Sequence, residues 1–218
     1  MTHFEVQGLA GSNSIATLAQ TTFASVVAVA ASNPNVVELV AQIDASYQLK
    51  LVATLIGDRF HTKLLGPFDE ENCWFRSVEG GNDELWPDSP PLQELIPQTD
   101  IDGNPYLAGI GRAGKSHWSV VVDSQVDGGG FNFDFACLVK TEPGWIGSTF
   151  ESTGSVEVTS KTTALISFAH DKVIRLSANP ESARIRNADG RLQVEARLRK
   201  DLEFPASHRW QFSIEYEV

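Results

Sequence analysis

Residues Trp118 to Cys137 form two arms of alternating hydrophobicity around an Asp127-Gly128-Gly129-Gly130 turn signal. Asp-Gly flanked by alternating apolar residues is the strongest short-range indicator of a β-hairpin. A two-residue turn at Asp127-Gly128 sets Ser124 opposite Phe131, Val122 opposite Phe133, Val120 opposite Phe135 and Trp118 opposite Cys137. One face is then apolar apart from Ser124. The other collects His117, Ser119, Val121, Asp123, Asn132, Asp134, Ala136 and Leu138. A slip of one residue would move one arm's apolar set to the wrong face, so turn chemistry and hydrophobic pattern select the same pairing.

Immediately before this hairpin, Gly109-Ile110-Gly111-Arg112-Ala113-Gly114-Lys115-Ser116 satisfies G-x-x-x-x-G-K-[ST], the phosphate-binding loop of nucleotide hydrolases. That loop works because a helix follows it, whose N-terminal amides help hold the phosphates. Here the chain continues as His117-Trp118-Ser119-Val120-Val121-Val122, a β-branched run that favours a strand. The hairpin therefore takes precedence, and residues 109–116 read as a Gly-rich turn.

The rest of the chain repeats the period of two. Leu49, Leu51, Ala53 and Leu55 alternate up to Gly57-Asp58, and Phe60, Thr62 and Leu64 return on the same side, a second hairpin whose other face carries Lys50, Thr54, Arg59, His61 and Lys63. Further strands are expected near residues 156–160, 164–168, 173–177, 183–186, 192–198 and 209–218. Towards the N-terminus, Ile15, Leu18, Ala19, Thr22, Phe23 and Val26 recur at helical spacing, as do Val36, Leu39, Val40 and Ile43 after an Asn33-Pro34 break, so two packed helices are expected within residues 1–45. Residues 80–104, with Pro87, Pro90, Pro91 and Pro97 among acids, read as one long loop. The expected architecture is a single, mainly β domain over 1–218. Its antiparallel sandwich or barrel is built from hairpins over 46–218, with one or two N-terminal helices packed on it.

Charge and cysteine content narrow the function classes. Seventeen Lys and Arg against 28 Asp and Glu give a net charge of −11, which opposes binding to nucleic acid or to anionic membranes. No stretch is apolar and long enough to span a bilayer. Cys73 and Cys137 form no C-x-x-C pair, and no convincing targeting segment is present, so a cytoplasmic protein is expected.

Catalytic signatures are sparse. G-x-S-x-G and H-E-x-x-H are absent, and His3, His61, His117, His170 and His208 are scattered, so neither a metal site nor a cofactor is expected. The leading expectation is noncatalytic binding of a small apolar ligand or a protein partner. Trp86, on a Pro-rich segment able to lie over an open end of the β-structure, and the basic pair Arg59 and His61 are the candidate ligand contacts, and a cavity under the 80–104 segment is the expected site. The alternative is an enzyme acting on an anionic substrate through the 109–116 turn, with Arg112, Lys115 and His117 converging in a cleft. Homo-oligomerisation through an exposed sheet edge is a third expectation.

Overall fold

The computed structural model describes residues 33–217 apart from 67–68, 82, 126–128, 170 and 200–201. In chain order the strands are β1 (Val36–Gln42), β2 (Gln48–Ile56), β3 (Arg59–Gly66), β4 (Asp69–Ser77), β5 (Leu92–Thr99), β6 (Pro105–Ala113), β7 (Ser116–Ser124), β8 (Gly130–Val139), β9 (Gly147–Ser152), β10 (Ser155–Ser160), β11 (Thr163–Phe168), β12 (Lys172–Ala178), β13 (Ala183–Ala188), β14 (Arg191–Ala196) and β15 (Ala206–Glu217). They form two antiparallel sheets, one of seven strands in the order β1-β2-β3-β4-β9-β14-β13 and one of eight in the order β10-β11-β12-β15-β8-β7-β6-β5. Each sheet keeps two edge strands, so neither closes into a barrel among the described residues. No helix among them is long and apolar enough to cross a membrane.

The central hairpin has the register its sequence demands. Ser124 pairs with Phe131, Val122 with Phe133, Val120 with Phe135 and Trp118 with Cys137. Leu51–Leu64, Ala53–Thr62 and Leu55–Phe60 pairs likewise confirm the second hairpin, with Gly57 supplying the positive φ of 68° at its turn. The inward side chains of both sheets share one core. Phe133, Phe135, Trp210 and Phe212 stack along the eight-stranded sheet, and Trp118 meets Trp210 edge-on at 5.9 Å. Phe150 of the other sheet meets Phe212 at 5.8 Å, and Trp210 Nε1 donates to Ser148 Oγ at 3.2 Å.

Three expectations need correction. Residues 36–42, expected as helix, are β1: Val37, Leu39 and Ala41 are buried at every second position and pair with Ala53, Leu51 and Leu49. The segment meets both periods, and pairing with β2 decides between them. The helix expected near 14–31 lies outside the described residues. Second, residues 80–104 are not one loop, because Leu92–Thr99 is β5. Its Pro97 is tolerated because β5 is an edge strand. Third, the 109–116 turn is mostly strand. β6 extends to Ala113, only Gly114 and Lys115 turn, and Ala113 pairs with Ser116.

Candidate functional site

Strand alternation turns one side of β5 to β8 away from the core, and the ladders place its residues in rows. Glu94, Ile110, Ser119 and Ala136 form one row; Ile96, Ala108, Val121 and Asp134 form the next. Arg112, His117 and Leu138 form a third row towards the β6–β7 turn. Large apolar side chains stand out on this face. Ile96 is 49%, Ile110 55%, Val121 42% and Leu138 38% exposed. A contiguous apolar area on a sheet face commonly marks an interaction site.

A groove of about 450 Å³ lies in this face, lined by Gln93, Glu94, Ile110, Arg112, His117, Ser119, Ala136 and Leu138 among others. Its wall is held by a bulge. β5 shifts register between Leu92 and Glu94, which frees Gln93 to bond the β6 backbone. Gln93 Oε1 accepts from Arg112 N at 2.9 Å and Gln93 Nε2 donates to the Arg112 carbonyl at 3.1 Å. Arg112 and His117 are directly opposed partners, both exposed, so their side chains project from neighbouring points on the rim. The chemistry on offer is the apolar surface of Ile110 and Leu138 beside the Arg112 guanidinium, the His117 imidazole and the Glu94 carboxylate. Further along the face, Arg209 is ion-paired with both oxygens of Asp134, and Asp134 Oδ2 also accepts from Gln211 Nε2 at 3.1 Å.

Of the three residues in the enzyme alternative, Arg112 and His117 line this groove, and Lys115 sits exposed at the two-residue turn without lining it. The nucleotide-loop match fails on the same geometry, since a strand follows Lys115. Millimolar Mg²⁺ with ATP or GTP is expected to leave the unfolding midpoint of both the protein and Lys115→Ala unchanged. Occupancy at a hundred times the dissociation constant would add about 2.7 kcal/mol, a readily visible shift.

Of the other predicted contacts, Arg59 and His61 lie on β3 of the seven-stranded sheet and Trp86 lies in the connection between β4 and β5. Arg59, 4% exposed, is held by Asp58, with Nε to Oδ1 at 2.9 Å, and donates to the Gly80 carbonyl at 3.2 Å. It is an anchor for the segment after β4. His61 lies two residues along the same strand, with its pKa lowered first by burial and then by Arg59 and Lys63. Trp86 packs against the core and lies over Gly144, where a Cβ would sit 3.2 Å from its Cδ1.

Sequence reasoning missed Glu79. It continues the inward alternation of Phe75 and Ser77 past the end of β4. Glu79 Oε2 is buried without a partner, while Ser77 Oγ donates to Oε1. Burial raises its pKa to about 7, against the opposing influence of Ser77 and Arg59. The space beside it between the sheets, also walled by Phe60, Ser89, Phe133, Phe135 and Phe150, is only about 30 Å³. That is room for about one water. The cavity expected under the 80–104 segment is therefore present in place but not in size. Among the described residues, no cluster of three or more His, Cys, Asp or Glu side chains is placed to hold a metal ion.

No known protein-family model matches this chain, and no curated protein matches it.

Proposed function

We propose that the protein is a noncatalytic binding protein, a β-sandwich that takes its partner in the groove on the outer face of the eight-stranded sheet. The partner's chemistry is an apolar body with an anionic group. One observation carries this reading: Arg112 and His117 face each other across the β6–β7 ladder at the rim of a groove whose floor includes the exposed Ile110 and Leu138. At about 450 Å³ the groove has the size of ordinary ligand sites, whereas the 30 Å³ between the sheets does not. The enzyme alternative is less well supported, because Lys115 stands away from the groove. A reducing compartment such as the cytoplasm suits Cys137, which lies in the core with its thiol pushed up to about 12 by burial, and the unpaired Cys73.

Octanoate tests the reading, with octylamine as the control of opposite charge. Titration at millimolar concentration, followed through amide shifts of residues 110–119, is expected to show saturable octanoate binding. Octylamine is expected to bind more weakly, and Arg112→Glu to reduce octanoate affinity about tenfold or more, the scale of one charge-assisted hydrogen bond. Equal responses to both compounds, or none, would remove the groove from contention.

A further inference from the structure

We propose that Glu79 is a pH-sensitive latch on the turn after β4: ionised, its side chain leaves the space between the sheets through a local opening of residues 78–81. The proposal stands apart from the groove. Its first ground is the Glu79 carboxyl itself, whose Oε2 is buried without a partner. Ser77 Oγ, which donates to Oε1, is fixed in place by Thr62 N at 2.8 Å. Leu95, Leu107, Val120, Val122, Phe133 and Phe135 of the eight-stranded sheet line the same space, and their side chains offer neither a donor nor a charge. A neutral carboxyl tolerates such walls and a carboxylate does not.

The second ground lies one residue further on. Arg59 Nη1 donates to the Gly80 carbonyl at 3.2 Å, while Nε and Nη2 hold Asp58 Oδ1 and Oδ2 at 2.9 and 3.3 Å. A guanidinium carries five N–H groups, so two remain for a carboxylate arriving from Glu79. The Gly80 carbonyl then gives way to an ionised and stronger acceptor. The other charged groups around the turn are carboxylates. Asp58 is held on Arg59, Glu84 lies where a Cβ on Gly80 would meet its Oε2, and Asp88 helps to raise the Glu79 pKa. Asp58 and Glu84 are exposed and Asp88 half-buried, so water screens them outside the sheets as it cannot within.

The opening is also confined. Besides the Arg59 bond, Val78 N donates to the Thr149 carbonyl at 2.8 Å and Glu84 N to the Gly81 carbonyl at 3.2 Å. Gly80 and Gly81 have no Cβ to hinder rearrangement. Ser89 Oγ donates to the same Thr149 carbonyl at 3.0 Å, so that carbonyl keeps a partner when Val78 departs. β4, which ends at Ser77, and the Ser89 anchor therefore stay in place while the turn between them moves.

Native-state hydrogen exchange of the full chain is the test. The Val78 amide is compared with that of Phe135 in the core at about pH 5.5 and about pH 8, each rate divided by its intrinsic value. With the carboxyl titrating at about 7 in place and at an ordinary 4.5 once exposed, the ratio of open to closed rises about 30-fold between those pH values. Val78 should show that rise and exchange faster than Phe135 at both. Its rate should also ignore urea below the unfolding transition, because a local opening exposes little surface. Glu79→Gln should flatten the pH dependence, and Glu79→Leu, a second uncharged variant, should do the same. A Val78 rate that follows Phe135 in both pH and urea would mean that Glu79 ionises only when the whole domain unfolds, and the proposal falls. It falls equally if Val78 shows no rise, or a rise that persists in both variants.

Discussion

Raising the pH from about 4.5 to about 8 is expected to withdraw about 3 kcal/mol of stability through Glu79, a loss that Glu79→Gln removes. The carboxyl titrates at about 7 in the folded protein against an ordinary 4.5, because ionising it places a charge between the sheets beside Phe60, Phe133 and Phe150. Between those two pH values the folded state holds a proton that the unfolded state has released. Stability is thus full below about pH 4.5 and falls until the pH has passed about 7. The difference of about 2.5 units, at about 1.36 kcal/mol each, sets the magnitude. His61 and His208 act in the opposite sense. Burial lowers the pKa of both below 6.5, so their contributions are lost as the pH falls. The informative quantity is therefore the wild-type profile minus the Gln profile, from urea unfolding at about pH 5 and about pH 8. At the higher pH the Gln variant should melt about 6–12 °C above the wild type. Parallel profiles would mean that water reaches the Glu79 carboxyl and that the sheets do not close over it.

The same residue shows where the sequence stops being informative. The central hairpin was legible to the residue because Asp127-Gly128 and the alternation on both arms demand one register independently. Val36 to Ile43 satisfies helical and strand spacing together, and only the presence of β2 alongside resolves it. β5 was hidden by a different cause. The bulge at Gln93 lets Leu92 and Leu95 both point inward, which breaks the period of two in an eight-residue strand already obscured by Pro97. Arg112 and His117 could be singled out in the sequence as polar residues at the start of the hairpin. Their groove could not, because Ile110 reaches it through the β6–β7 register and Leu138 through the β7–β8 register. Arg59 looked like part of a basic surface, yet the Gly80 carbonyl covers it, a contact 21 residues away that no local pattern announces.

Gly111→Ala is expected to destabilise the fold by about 3 kcal/mol, the upper end for an overpacked interior site, and the glycines of the 109–116 segment are where the two readings of it diverge most sharply. In a phosphate-binding loop these glycines let the backbone approach the ligand, so substitution would weaken nucleotide binding and leave the unliganded fold intact. Here they let strands approach one another. A Cβ on Gly111 would lie 1.8 Å from the Pro91 carbonyl oxygen and 2.7 Å from its carbon, backbone atoms that cannot swing aside as a side chain does. On Gly109 the nearest atoms are Leu95 Cδ1 at 2.8 Å and Val120 Cγ1 at 2.9 Å, ends of side chains that can adjust, so Gly109→Ala should cost about 1–2 kcal/mol. Arg112→Ala, at an exposed position, should change stability by no more than about 0.5 kcal/mol. The ordering is read from urea midpoints at constant m-value. A Gly111→Ala protein as stable as the wild type would contradict the β5–β6 register at Leu92–Gly111. Since that register places Gln93 on the Arg112 backbone, the groove wall would fall with it.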